Sequence, residues 1–342
     1  MNPQAHQLPS TAASTATYSR PSCREDFLLA IICALKLEFD AVSLIFDQFW
    51  DEDGESFGRV DGDTNIYTTG RIGNHDVVLA LLPNMGKAAA AGTAASFQAS
   101  YTNLKLAFLV GVCGGVPSSD SGELLLGDVV VSKTVFQRDF GENYPDRFIP
   151  KNTIRENGSR LSKDIHGLIV SFETEVGRRG LQQKAAMSLR DLQAKAAAKG
   201  QQHRDHYCYP GSTEDKLFPS TYPHKHRGLQ SCDCNGQTQD PCAAAIQFPC
   251  SELGCDEGQL VFRKRLGLKR NLKPEEAQRP EVFIGNIASG DIAVKSGEHR
   301  DQIAQQYNII AFRVEGAGFW NEMPCIAVKG ICDYADSHKN KV

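Results

Sequence analysis

At 342 residues the chain has room for one large α/β domain or two smaller ones, and 41% hydrophobic with 23% charged residues is an ordinary globular composition that excludes fibres and membrane-embedded classes. A formal charge of -4 gives no electrostatic reason for nucleic acid or anionic lipid to be the main partner, so a small ligand is expected. No apolar run reaches the length of a membrane span, and residues 1–24 are polar without the apolar centre of a signal peptide, which predicts a cytoplasmic protein with a disordered N-terminal tail.

Residues 27–32 are continuously apolar and read as a buried strand. Cys33-Ala34-Leu35-Lys36-Leu37 turns that strand into a helix, predicted over residues 38–50 from the spacing of Val42, Ile45, Phe46 and Phe49. Glu38 then stands at the helix start beside the strand tip, either as an acid favoured by the helix dipole or as a general base. Residues 65–69 and 77–82 predict a hairpin turning at Gly73-Asn74. Pro83-Asn84-Met85-Gly86-Lys87 opens an alanine-rich helix to residue 100, whose first turn offers backbone N–H groups or Met85 to a ligand. The run 106–116 is a buried strand ending at Cys113-Gly114-Gly115, glycines that serve either a tight exit or the close approach of a ligand. Asp139-Phe140-Gly141 is not a kinase signature, since no phosphate loop, strand lysine or catalytic-loop motif precedes it.

From about residue 174 to 279 the composition changes to a basic, alanine-rich helix and then to loop-like sequence with clustered Cys, His, Pro and Gly, which predicts an insertion outside the sheet. The eleven cysteines are an odd number without an export signal, which argues against a disulfide framework. His224, His226, Cys232, Cys234, Cys242, Cys250 and Cys255 fall in the insertion without paired C-x-x-C spacing, leaving a structural metal and free thiols both open. Regular structure resumes at 281–287, followed by Ala288-Ser289-Gly290-Asp291 and a helix over 298–307. The last two strands end in acids, Glu315 before Gly316-Ala317-Gly318 and Asp333 after Ile331-Cys332, and strand ends are where α/β sheets keep their chemistry.

The ordered set Cys33-Ala34-Leu35-Lys36-Leu37-Glu38, Met85-Gly86-Lys87, Gly111-Val112-Cys113-Gly114-Gly115, Ala288-Ser289-Gly290-Asp291, Val314-Glu315-Gly316-Ala317 and Cys332-Asp333 resembles the nucleoside phosphorylase superfamily, which includes purine and uridine phosphorylases and methylthioadenosine/S-adenosylhomocysteine nucleosidases. It is most similar to fungal members that share the Cys/His-rich insertion and Asp-Tyr-Ala-Asp-Ser-His-Lys-Asn-Lys. The resemblance implies a single α/β domain over 25–342, with a mixed twisted sheet flanked by helices and a pocket at strand ends.

It also implies roles. Asp333 matches the acid that protonates N7 of a purine, Glu38 the acid that activates water, and Glu315 the acid that holds the ribose hydroxyls. Met85, Cys113, Gly114, Gly115, Val294 and Val314 would complete the substrate surface, with no cofactor and no metal in the site. Phosphorylases of the superfamily usually carry an Arg and a Ser or Thr where this chain has Leu109 and Val112, neither of which hydrogen-bonds phosphate. Hydrolysis of purine ribonucleosides is therefore expected, with phosphorolysis or a nucleoside-sensing module of a receptor-like protein as the alternatives. Arg313-Val314 departs from the usual Glu-Met before the ribose acid. Related domains continue into a final apolar helix where this sequence ends at Val342, so a homo-oligomer is expected.

Overall fold

The structure is a computed structural model that describes residues 19–52, 57–84, 86–139, 141–144, 148–150, 163–227, 245–313, 318–319 and 322–338. Among these residues, nine strands form one mixed sheet: β1 (Leu29–Cys33), β2 (Gln48–Phe49), β3 (Tyr67–Ile72), β4 (His75–Leu81), β5 (Leu106–Gly115), β6 (Val129–Gln137), β7 (Val282–Ser289), β8 (Ile309–Arg313) and β9 (Cys325–Asp333). Their spatial order is β8-β7-β6-β9-β5-β1-β4-β3-β2.

β1 runs parallel to β4 and β5, and its residues alternate between two buried faces. Ala30 and Ile32 join Val78 and Ala80 in the main core, under helix α2 (Lys87–Ser100), which contributes Ala90, Ala94 and Phe97. Ile31 and Cys33 join Val77 and Leu79 on the opposite face, under Val42 of α1 (Lys36–Ser43) and Phe46. Burial on both sides is why these strands read as unbroken apolar runs, and each large side chain so buried contributes roughly 1.5–3 kcal/mol. A third cluster sets Ile165 and Ile169 of α3 (Lys163–Glu173) against Leu106, Val131, Val282 and Ile326.

The helix predicted over residues 38–50 stops at Ser43. The rest of that stretch joins the sheet edge, where the Asp47 N–H donates to Arg71 O and the Trp50 N–H to Thr69 O. Phe46 and Phe49 stack at 4.9 Å there, so the apolar spacing that imitates a helix serves a short edge strand.

The far end of the sheet closes on itself. β8 pairs in parallel with β7 and also antiparallel with the end of β5, through Ala311 with Gly115 and Phe312 with Gly114. The tip of β5 is thereby held between β9 on one side and β8 on the other, and Glu38 and Asp333 both reach β5 near this junction.

The described residues of 174–279, the predicted insertion, contribute no strand to the main sheet and are docked onto it. Its long helix α4 (Glu175–Ala198) is capped by Thr174, which accepts from the Gly177 N–H. Arg265 forms a two-pronged pair with Asp128, which is fully buried, and Asp215, paired with Arg263 inside the segment, accepts the Leu126 N–H at 3.0 Å and the Tyr334 hydroxyl at 2.7 Å from outside it. Among the described residues, no helix is long and apolar enough to cross a membrane.

Candidate active site

Glu38 lies in the first turn of α1 and is buried, at 4% exposure. One oxygen accepts the Ala34 N–H at 2.9 Å and the Leu35 N–H at 3.0 Å, the reach-back that closes a helix N-terminus. The other accepts the Val112 N–H at 2.9 Å and an Arg313 guanidinium N–H at 3.2 Å. A carboxylate offers about four acceptor positions, so these four donors occupy the set. Gly111 makes the approach possible, since a Cβ there would lie 2.2 Å from Glu38 Oε1. Of the two sequence readings of Glu38, the structure shows the helix N-terminal acid, and it also presses Glu38 onto β5.

Asp333 ends β9, at 7% exposure. β9 follows β5 residue for residue until Ile331 opposite Cys113, then bulges so that Asp333, not Cys332, stands opposite Gly114. A bulge of this kind re-aims a side chain at a strand end. Asp333 Oδ1 accepts the Ala335 N–H at 2.8 Å and would meet a Cβ on Gly114 at 2.7 Å. Ala335 holds a left-handed backbone, φ 49, a conformation that costs a non-glycine residue about 1–2 kcal/mol. Its neighbours keep it there. The Tyr334 carbonyl accepts from Arg300 at 2.8 Å, and the buried Tyr334 hydroxyl donates to Asp215 at 2.7 Å. Burial, reinforced by the Asp215 charge, pushes the Tyr334 phenol well above its usual range.

The two acids are therefore anchored on one strand, at Gly111 and Gly114, three residues or roughly 10 Å apart along β5. With that geometry in place, the comparison with known proteins is decisive on one point: residues 28–197, from β1 to the end of α4, match the family model described as the phosphorylase superfamily. The chain belongs to the phosphorylase superfamily.

The chain is 28% identical over 329 residues to a "Nucleotide-binding leucine-rich repeat (NLR)-like protein" of Hyaloscypha variabilis, a match covering 94% of this chain and 28% of that one. It therefore spans little more than a quarter of that relative. Among solved structures it is similar to the 5'-methylthioadenosine/S-adenosyl homocysteine nucleosidase of Helicobacter pylori, at 15% identity and TM-score 0.46, covering 92% of this chain and 88% of that one. The futalosine hydrolase of Helicobacter pylori gives the same identity, TM-score and coverage, and the nucleosidase of S. pneumoniae gives 14% and 0.47, over 91% and 87%.

Of the other residues the superfamily pattern assigns to the site, Met85, Val314 and Glu315 lie outside the described residues. The side chain of Cys113 is packed into the protein interior. It is 2% exposed in the main core, where burial pushes its thiol well above the usual range, so only its backbone is left to serve a site. Gly115 is small for packing, because a Cβ would lie 2.9 Å from Ile331 Cγ2. Val294 sits in an apolar cluster with Phe136, Phe312 and Ala335, two residues from Asp333. Asp291 accepts the Lys87 N–H at the start of α2, at 3.0 Å.

Two charged residues at the junction escaped the sequence reading. Arg313 entered only as a departure from the superfamily's Glu, whereas it is the cationic partner of Glu38. Lys329 is a buried cation at 4% exposure, in register with Gly111. Its signal was present, since it interrupts an apolar strand where a charge is costly without a purpose. A cavity of about 330 Å³ opens beside the acids, between Leu37, Val112 and Cys332 on the sheet side and Tyr209, Asp215 and Lys269 of the insertion. It touches the neighbour of each acid and neither acid itself. Among the described residues, the side chains arranged to hold a metal ion stand apart from the acids, at His224, Cys250, Cys255 and His338.

Proposed function

We propose that the chain binds a purine ribonucleoside at the tip of β5 and hydrolyses its N-glycosidic bond to free base and ribose. The observation that carries this reading is the pair of buried carboxyl groups fixed on one strand, with only apolar side chains at Leu109 and Val112 between and beside them. Leu109 packs into the main core, so it leaves no phosphate-binding group at the place where superfamily phosphorylases carry one. Breaking the bond builds positive charge on the sugar and negative charge on the base, which calls for an acid on one side and a base on the other. Asp333 gives its proton to N7 as the base departs. Water attacks the sugar carbon and loses its proton to Glu38. The superfamily resemblance gives Glu315 the ribose hydroxyls. For Glu38 to take a proton, one of its four donors has to yield, and the Arg313 contact is the longest of them at 3.2 Å.

The test is product analysis with adenosine, inosine, guanosine, uridine and methylthioadenosine, with and without phosphate. Free purine and ribose released at the same rate in both conditions is the expected result, and ribose 1-phosphate formed only with phosphate would overturn it. A second reading, a nucleoside-binding module with little turnover, is favoured by the full acceptor set of Glu38 and by the NLR-like name of the relative. It predicts nucleoside binding with every compound left intact.

A further inference from the structure

Four side chains from three separate parts of the chain converge beside the insertion. His224 comes from the loop before residue 228, Cys250 and Cys255 bracket the short helix Cys250–Leu253, and His338 follows β9. Gly254 takes a left-handed conformation, φ 69, and the Cys255 N–H returns to the Cys250 carbonyl at 3.0 Å, so the two thiols are folded into one knuckle. Cys250 Sγ lies 3.6 Å from His224 Nδ1 and 3.5 Å from His338 Nδ1. Cys255 Sγ lies 3.6 Å and 4.0 Å from the same two atoms. A tetrahedral ion with metal–sulfur bonds of ~2.3 Å and metal–nitrogen bonds of ~2.05 Å has sulfur–nitrogen edges of ~3.6 Å.

The outer contacts select the same arrangement. His224 Nε2 is 3.0 Å from the Phe248 carbonyl, and His338 Nε2 is 2.7 Å from the Tyr222 carbonyl. A carbonyl only accepts, so in each ring Nε2 carries the proton and Nδ1 turns its lone pair toward the sulfurs. Phe218 stacks on His338 at 4.3 Å and fixes its plane. Both rings are buried, at 3% and 5% exposure. A cysteine–histidine nucleophile would need one thiol and one ring beside a substrate space, whereas here two of each face inward.

We propose that His224, Cys250, Cys255 and His338 hold one Zn²⁺ ion. The ion replaces the two thiol protons, which pass to solvent, and two thiolates with two neutral imidazoles leave the site without net charge and without any change of oxidation state. Four protein ligands leave no open position, so the role is structural. The site fastens the insertion to the loop that begins at Asp333, five residues before His338. His338 lies outside the insertion in which the sequence gathered its metal candidates, and His226, one of those candidates, is not in the group.

The test uses the full chain purified without chelator. Elemental analysis should find one zinc per chain, and exchange for Co²⁺ should give the visible bands of a tetrahedral site with near-ultraviolet thiolate charge transfer. Cys250→Ser and His338→Ala should lose far more than the roughly 10–100-fold in zinc affinity that outer-sphere partners cost, while His338→Cys should keep a tetrahedral cobalt spectrum with stronger charge transfer. Cys208→Ser, at an exposed cysteine, should change nothing. Should the ligand variants fail to fold, alkylation of the wild type decides: Cys250 and Cys255 should be protected until a chelator is added. Wild-type protein that binds neither ion, a cobalt spectrum without charge transfer, or full zinc content in the Cys250→Ser/Cys255→Ser double variant would overturn the proposal.

Discussion

At Asp333 an asparagine would keep the side-chain shape beside Gly114 and remove the proton it donates. Asp333→Asn should therefore lower turnover on the order of a hundredfold or more while nucleoside binding is kept, as measured by steady-state kinetics beside equilibrium binding. Near-normal turnover would remove Asp333 from the mechanism. Gly111→Ala probes the opposite end of the pair, because its Cβ would fall 2.2 Å from one oxygen of the Glu38 carboxylate, whose two oxygens are held in place by three backbone N–H groups between them. Overpacking of that kind should cost about 3 kcal/mol in chemical denaturation. Arg313→Met should release one acceptor position of Glu38 and raise kcat, at some loss of stability. A fall in kcat with unchanged KM would show that the guanidinium positions Glu38 for the reaction.

At the scale of elements, legibility followed how many faces of a segment are decided locally. β1 and β4 could be read from unbroken apolar runs because each is buried on both sides, and Asp333 could be placed because its strand ends where small and polar residues begin. The stretch after Ser43 misled, since Phe46 and Phe49 keep helical spacing while the backbone from Asp47 to Trp50 joins the edge of β3. What remained hidden depends on partners far apart in the sequence: the return of β8 onto β5, the Arg313–Glu38 pair and the anchoring of the insertion. The last of these is testable. Asp215 joins Arg263, the Tyr334 hydroxyl and the Leu126 N–H in one buried network. Asp215→Asn leaves the Arg263 charge uncompensated and should cost about 3–5 kcal/mol, whereas Tyr334→Phe removes a hydroxyl that donates to Asp215 and accepts from Arg263, keeps the charge pair, and should cost about 1–3 kcal/mol. Equal losses in urea denaturation would show that the charge pair is not what stabilises this network.

For the molecule as a whole, acid stability should report the lock between α2 and the turns after β6 and β7. Asp139 accepts from Lys87 Nζ at 2.6 Å and from the Asp291 N–H at 2.8 Å. Burial works to raise the Asp139 carboxyl, and the Lys87 charge with these hydrogen bonds outweighs it, leaving it below the usual carboxylate range. A depressed folded value means stability that is fully present above the unfolded value, about pH 4, and lost as pH falls through the folded value. Thermal melts of wild type and Asp139→Asn should thus differ by a constant gap near neutrality that closes below about pH 4. A gap that widens with acid would reverse the assignment. The central claim, hydrolysis at two acids gathered on β5, is tested most directly by turnover of a purine ribonucleoside in ¹⁸O-labelled water, with phosphate absent and then present. The account predicts free base and ribose carrying the label at its anomeric oxygen at equal rates in both. Unlabelled ribose 1-phosphate formed only with phosphate, or a nucleoside that binds and is never cleaved, would contradict it.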